Sequence, residues 1–376
     1  MDTHTLAVLE FDKIRRLIRK CLATPIGAQR VDALEPIADP SELDRRRTRL
    51  REMRHLLEGS SGLPLDGARD IRKSLETARI EGSILEPGAL LDILTTSTAS
   101  GKVRRSIVAS DRRIPELREM VSVLEPDPPL QNAISESIAA DETIKDSASK
   151  SLAKIRKELS ALRATITERV QQILKRRSVQ EILQENFYTQ CEGRYVVPIQ
   201  AQFKGRFRGI VHDRSDTGAT VFVEPAEIVP LGNKLRELEV EERRECNRIL
   251  RSLTSKVRHS YSQLSINQEI LADLDFLQAV SRYSETYHMV QPDLAASGSL
   301  RLHGARHPLL LAQMPFEKVA PLDMDLAPEK SGSAKTVVVV TGPNTGGKTV
   351  VIKTAGLLVL MALAGLDVPA EHGTII

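Results

Sequence analysis

Near residue 340 the chain reads Thr336-Val-Val-Val-Val-Thr-Gly-Pro-Asn-Thr-Gly-Gly-Lys-Thr349. The β-branched run from Thr336 to Thr341 predicts a buried strand, and the glycines after it predict a tight loop. The apolar residues after Thr349 predict a helix that continues to about Leu366. A strand, a glycine loop and a helix in this order indicate the beginning of an α/β domain with a parallel sheet.

The glycine loop matches GxxxxGK[ST], a pattern that binds nucleotide phosphates. Glycines let backbone N–H groups approach phosphate oxygens, and the N-terminus of the following helix favours an anion. We predict that the Lys348 ammonium reaches the β- and γ-phosphates of ATP and that the Thr349 hydroxyl ligates Mg²⁺. The candidate ATP-binding residues are Gly342, Pro343, Asn344, Thr345, Gly346, Gly347, Lys348 and Thr349.

Hydrolysis needs a further acid on a neighbouring strand to hold Mg²⁺. Asp367 and Glu371 follow the loop, but no apolar strand precedes either of them. No catalytic residue is therefore assigned, and we predict ATP binding without turnover by this chain alone. Strands that would cover the last helix are not evident either, so we expect an exposed apolar stripe formed by Ile352, Leu357, Leu358 and Met361.

Composition limits the remaining possibilities. The 376 residues have room for two or three domains, and the low aromatic content of 3%, without Trp, favours packed helices over a β-sandwich. Lys+Arg 53 against Asp+Glu 50 gives a net charge of +3, which points to no class of partner. Cys21, Cys191 and Cys246 form no CxxC pair, and the longest apolar run, Ala355 to Leu366, is too short to span a bilayer. We predict a reduced, cytoplasmic protein with no membrane partner.

Two long apolar stripes predict a helical arm. The first runs from Asp146 to about Gln184 with heptad-like spacing, and the second runs from about Glu227 to Met289. Between them, residues 187–223 look β-like, with strands predicted from Arg194 to Phe203, from 207 to 211 and from 219 to 223. An antiparallel helix pair with a small β-rich tip follows from this order.

The predicted tip is rich in basic residues. The bases are Arg194, Lys204, Arg206, Arg208 and Arg214, and they alternate with Tyr195, Phe203 and Phe207. Glu192, Asp213 and Asp216 oppose them. The pattern fits either a patch that contacts nucleic-acid phosphates or an ordinary exposed hairpin.

Three shorter features have alternative interpretations. Ser41 with Asp44 suggests a helix start ahead of the basic run 44–54, which is either a solvated helix face or a partner surface. His303 and His307 are spaced like a metal pair, but Gly304 and Pro308 favour loop histidines. Short strands are predicted at 300–302, 309–311 and 322–326.

The motifs together resemble the MutS family. Thr341-Gly-Pro-Asn-Thr-Gly-Gly-Lys-Thr349 is similar to that family's phosphate loop, and Ala305-Arg-His-Pro-Leu309 is similar to its upstream ATPase motif. The bacterial MutS-two branch is indicated by Gly193-Arg-Tyr-Val-Val-Pro-Ile199, by Gly209-Ile-Val-His-Asp-Arg-Ser215 with Gly218-Ala-Thr-Val-Phe-Val-Glu-Pro225, and by Leu235-Arg-Glu-Leu238 with Glu241-Glu242. The resemblance covers essentially the whole chain.

This resemblance implies a mainly α fold with long antiparallel lever helices, a small β-rich clamp and the beginning of an α/β P-loop ATPase domain. The implied domains are a helical core (1–125), core and outgoing lever helix (126–186), clamp tip (187–225), returning lever helix (226–290) and the first part of an ABC-type ATPase domain (291–376). The family's Walker B segment and Smr nuclease domain do not occur, so we expect a fragment or a truncated gene product.

The resemblance also implies a function. The leading hypothesis is an ATP-gated clamp on branched or structured DNA that suppresses recombination, homodimeric in its full-length form and without a mismatch-reading domain. The alternatives are a ribosome-associated collision sensor and rescue factor, and a non-catalytic fragment. In the full-length family the implied activities are ATP hydrolysis and an Smr-type endonuclease.

Overall fold

The computed structural model describes residues 3–295, 299–326, 339–341 and 347–376. It is 58% helical with 11% strand in small sheets, so the mainly α prediction is confirmed. The helices are α1 Thr3–Val8, α2 Phe11–Arg19, α3 Ala28–Asp32, α4 Pro40–Leu57, α5 Arg72–Arg79, α6 Pro87–Val108, α7 Pro115–Ser122, α8 Pro128–Ser137, α9 Lys150–Leu174, α10 Arg177–Gln180, α11 Val229–His259, α12 Tyr261–Thr286, α13 Pro308–Leu311 and α14 Lys348–Leu363. The strands are β1 Thr189–Cys191, β2 Arg194–Gln200, β3 Gly209–Arg214, β4 Thr220–Pro225, β5 Leu300–Ala305 and β6 Leu322–Leu326.

Two compact units divide the chain. The core unit comprises Met1–Glu76, Asp92–Gln131 and His259–Ile376, and the arm unit comprises Thr77–Leu91 and Asn132–Arg258. Each unit contains a buried apolar cluster of its own.

The core unit is organised around α12, which packs against α2, α3 and α4. α2 shows why: Phe11, Ile14 and Ile18 recur at helical spacing, lie on one face and are fully buried. α4 begins after Asp39, whose carboxylate accepts the N–H of Ser41 at 3.0 Å. The predicted start at Ser41 is therefore wrong, because Asp39 supplies the cap and Pro40 suits the first helical position.

The arm unit contains the antiparallel pair of α9 and α11. Three contacts between the helices show the direction: Ser149 with Glu245 at 2.6 Å, Arg156 with Glu242 at 2.7 Å, and Arg163 with Glu239 at 3.1 Å. The contact residues of α11 decrease in number as those of α9 increase, so the two helices run in opposite directions. Between the helices lie the apolar positions that the sequence stripe predicts, including Leu159, Ile166, Leu235 and Leu238.

Both long helices are shorter than the sequence predicts. The first stripe becomes α9, which starts behind the cap of Ser149 and ends at Leu174 before the separate short helix α10. The second stripe becomes α11 and α12, which are separated at Ser260. The Ser260 hydroxyl donates to Asp127 at 2.5 Å, a contact from a distant part of the chain that periodicity cannot predict.

Two small sheets complete the described residues. The arm unit has a four-stranded antiparallel sheet in the order β1-β2-β4-β3, and β5 pairs with β6 in the core unit. Residues 201–203, predicted as the end of a strand, instead lie in a 3₁₀ turn, Ala201–Arg206. Leu309–Leu311, also predicted as a strand, lie in α13, because His307 caps a helix there and Pro308 occupies its first position.

Candidate functional site

The structure places only the end of the phosphate loop. Gly342, Pro343, Asn344, Thr345 and Gly346 lie outside the described residues, as do residues 336–338 of the predicted strand, and residues 339–341 carry no strand. Gly347 is described, with a φ of 81° that favours glycine.

Lys348 and Thr349 are the first residues of α14. Gly347 is the N-cap of this 16-residue helix, so the N–H groups of the first turn and the positive end of the helix dipole lie beside it. This arrangement fits a phosphate group. The described residues thus bring together three of the eight predicted ATP-binding positions, Gly347, Lys348 and Thr349.

α14 is held firmly by the rest of the core unit. Leu357, Leu358 and Met361 are fully buried in the core cluster, and of the predicted exposed stripe only Ile352 is exposed, at 63%. The expectation of an exposed stripe is therefore wrong for three of its four residues. The first helices of the chain cover α14, as the ion pair between Lys353 and Glu10 at 3.1 Å shows.

The two acids after the loop have different environments. Asp367 is fully buried, its carboxylate lies 3.1 Å from the Arg54 guanidinium, and burial raises its pKa. Glu371 is exposed. Asp367 therefore faces Arg54 of α4 inside the core unit, and neither acid is assigned a catalytic role.

His307 lies close to the start of α14. Its Nδ1 accepts the N–H of Leu309 at 3.3 Å, and burial lowers its pKa. It lines a cavity of about 220 Å³ together with Ala305, Val319, Gly347, Val351 and Thr354. The sequence analysis treated His307 as a loop residue and did not predict that the Ala305–Leu309 motif and Gly347 of the phosphate loop line the same cavity. The signal that could have shown this is that both motifs resemble the same family.

The basic residues of the tip fall into two groups. Lys204, Arg206, Arg208 and Arg214 are exposed, and none of them forms an ion pair within the described part of the chain. Lys204 and Arg206 lie in the 3₁₀ turn, Arg208 precedes β3, and Arg214 ends it. The Arg206 guanidinium lies 5.2 Å from the centre of the Phe203 ring.

Arg194 differs, because its guanidinium contacts other side chains within the arm unit. Its guanidinium contacts Glu224 at 3.4 Å and Asn233 at 2.8 Å. Glu224 is 1% exposed and also lies 2.8 Å from Nε2 of His212. Gly232 makes room for this group, since a Cβ there would lie 2.6 Å from the Glu224 carboxylate. Sequence reasoning missed Glu224, whose only signal was its place in the resembling segment 218–225.

The basic run of α4 is only partly a solvated face, because Arg45 and Arg51 are exposed while other arginines of the run contact the rest of the core unit. Arg46 donates to the Ala364 carbonyl at 3.1 Å, Arg49 pairs with Glu116 at 3.3 Å, and Arg54 lies against Asp367. These side chains tie α4 to other parts of the core unit.

Fold and site together define a class: a mainly helical protein with an antiparallel helix pair, a small sheet that carries exposed bases, and the sequence pattern of a nucleotide-binding loop. Within the described ranges no helix has both the length and the apolar character needed to cross a membrane.

Comparison with known proteins is consistent with this class. No family model matches the chain. Proteins named "Endonuclease MutS2" match all of it: that of Symbiobacterium thermophilum is 37% identical, with 46% of its own length covered, and that of Geobacillus sp. (strain WCH70) is 38% identical, with 47% covered. The same protein of Pelotomaculum thermopropionicum is 37% identical over 374 residues. The chain belongs to the MutS family, in the MutS2 branch, and spans about half the length of the curated relatives it matches.

Proposed function

We propose that this chain is the nucleic-acid-clamping and ATP-binding part of a MutS2 protein that acts on branched or structured DNA. The observation that carries the proposal is the tip of the arm unit, where Lys204, Arg206, Arg208 and Arg214 are exposed without ion pairs among the described residues. The name of the curated relatives, an endonuclease, supports a nucleic-acid target.

The physical basis of binding is phosphate neutralisation. Each lysine or arginine that contacts a phosphate releases a condensed counterion, so affinity falls steeply with salt and depends little on sequence. Arg206 lies over Phe203, and aromatic rings in such turns also offer a surface on which unpaired bases stack. Branched DNA presents closely spaced phosphates at the branch point, which fits the exposed bases of the tip.

ATP and Mg²⁺ form the second part of the proposal. Residues 342–349 would hold the phosphates, with Lys348 as the cation at the β- and γ-phosphates and Thr349 as a ligand of Mg²⁺. Mg²⁺ would neutralise charge between these phosphates. The left-handed Gly347 at the N-terminus of α14 supports this assignment. On the family resemblance alone we also propose that the full-length form is a homodimer.

The test of DNA binding replaces Lys204, Arg206 and Arg208 with Ala together. Anisotropy titrations of a four-way DNA junction at several salt concentrations give the slope of log K against log salt. This slope should become flatter by up to about 2.7, because each phosphate neutralised by a basic side chain adds about 0.9 to it. The matched control replaces Lys150, Lys154 and Lys157 on α9 with Ala, which removes the same charge elsewhere in the arm unit.

Two results would overturn the proposal. Equal slopes for the tip variant and the control would mean that the tip does not contact phosphates. A tip that binds purified ribosomes and is not competed by excess junction DNA would favour the ribosome-associated alternative.

A further inference from the structure

The core unit contains a cavity lined by arginines, away from the phosphate loop in sequence. It has a volume of about 400 Å³ and lies between α3, α4, α7 and α12. Its charged lining consists of Arg30, Arg45, Arg46 and Arg49 with Glu42 and Asp273. Four guanidinium groups and two carboxylates line the cavity, and the further carboxylates of Glu269 and Glu116 pair with Arg30 and Arg49.

The four arginines differ in how far their charge is compensated. Arg30 pairs with Asp273 at 2.5 Å and Glu269 at 2.7 Å, and Arg49 pairs with Glu116 at 3.3 Å. Arg45 and Arg46 form no ion pair in the part of the chain that the structure describes. Both are therefore able to bind an anion.

Arg46 is held in place before any anion arrives. Its guanidinium donates to the Ala364 carbonyl at 3.1 Å and lies 6.0 Å from the centre of the Phe276 ring. Gly365 allows its stem to pass, since a Cβ there would lie 2.8 Å from Cδ of Arg46. Burial lowers its pKa, and the carboxylates of Glu42 and Asp273 offset this effect only in part. A fixed, partly desolvated arginine gains more from an anion than a solvated one.

We propose that this cavity binds a small phosphate-bearing molecule. Planar guanidinium groups match phosphate oxygens in a two-point geometry, which favours phosphate over a spherical anion. The buried side chains of Met120, Phe276 and Leu277 give the cavity an apolar wall, and its volume is in the range of small-molecule sites. The lining of this cavity shares no residue with the phosphate loop or the basic tip.

The test uses the whole chain carrying Lys348→Ala, so that the phosphate loop contributes little binding. Inorganic pyrophosphate is titrated by calorimetry into this chain and into versions that also carry Arg45→Gln or Arg46→Gln. Arg45 is exposed and unpaired among the described residues, so its replacement should leave the fold intact, and the Arg46 variant is interpreted only if its melting temperature is retained. Arg51→Gln is the matched control, because Arg51 is an exposed arginine of α4 outside the cavity.

We expect saturable pyrophosphate binding that Arg45→Gln weakens at least tenfold and Arg51→Gln leaves within about twofold. Absence of saturable binding, or equal weakening by both substitutions, would overturn the proposal. A short DNA duplex distinguishes the source of the phosphate. If Arg45→Gln weakens duplex binding and pyrophosphate does not bind, the cavity contacts a nucleic-acid backbone and the small-molecule site is wrong.

Discussion

Gly209 provides a sharp test of how the tip is built. It begins β3, and a Cβ at this position would lie 2.3 Å from the Glu224 carbonyl oxygen and 2.6 Å from Cγ1 of Val223. Carbon and oxygen normally stay about 3.3 Å apart, so Gly209→Ala must displace one strand by about 1 Å. The obstacle is backbone of β4, which cannot rotate away as the end of a side chain can.

The expected cost is that of forcing an extra carbon into a packed site, about 1–3 kcal/mol. β3 is an edge strand of the sheet, so we expect it to separate from β4 locally. If the substitution lowers the free energy of this local opening by 1–2 kcal/mol, amide exchange in the β3–β4 ladder should accelerate about 5–30-fold. Because Arg208 and Arg214 flank this ladder, the affinity for junction DNA should fall as well.

Gly205→Ala is the matched control. A Cβ at Gly205 meets no atom within 4 Å, so this substitution should leave exchange unchanged or slow it slightly. Hydrogen exchange followed by mass spectrometry on peptides that cover 207–226 measures both variants. Equal exchange for the two variants would refute the close approach of β3 and β4 at Gly209.

Three further perturbations test other parts of the molecule. Leu159→Asp places a charge at a 3% exposed position of the arm and should lower the free energy of unfolding in urea by several kcal/mol. The control Ala164→Asp, at an exposed position of the same helix, should change this free energy by no more than about 0.5 kcal/mol. Equal losses would contradict the antiparallel pairing. A hydrogen bond from Arg248 helps to lower the Glu245 pKa from 4.5 to about 2. The stability that ionised Glu245 adds to the folded protein is therefore complete above pH 4.5 and is lost as the pH falls through about 2. Glu245→Gln should flatten the stability profile across that window, and an unchanged profile would exclude this assignment. Lys348→Ala should weaken binding of a fluorescent ATP analogue, and turnover by the unmodified chain that this change abolishes would reveal an unrecognised catalytic acid.

The sequence predicts this fold best where the signal is local. The stripe through Leu159 and Ile166 predicts a helix because each residue needs only its neighbours three or four positions away to form a buried face. The run of β-branched and aromatic residues at 220–223 predicts β4 for a similar reason. Both elements are present, and their errors are confined to the ends.

The errors share one cause, contacts between residues far apart in the chain. The apolar face of α14 was expected to lack a cover, yet Gly356 packs against Leu9, 2.9 Å from the position of a Cβ, and Lys353 pairs with Glu10. More than 300 positions separate these partners, and no periodicity within either segment indicates the other. His307 shows the same limit on a smaller scale, since its role as a helix cap depends on the turn that follows it.

For basic residues, the sequence pattern is least able to distinguish a binding role from a structural role. Arg54 and Arg206 both occur in short basic runs, but Arg54 faces a fully buried carboxylate while Arg206 is exposed at the tip. A charge that already has a buried partner cannot neutralise a phosphate without breaking that pair, and leaving Asp367 unpaired would cost several kcal/mol. The side chains available to an anion are therefore those whose charge the fold has not used, a property of three-dimensional neighbours. In the described part of this chain the exposed bases of the tip, and Arg45 and Arg46 of the core unit, are among the side chains that meet this criterion.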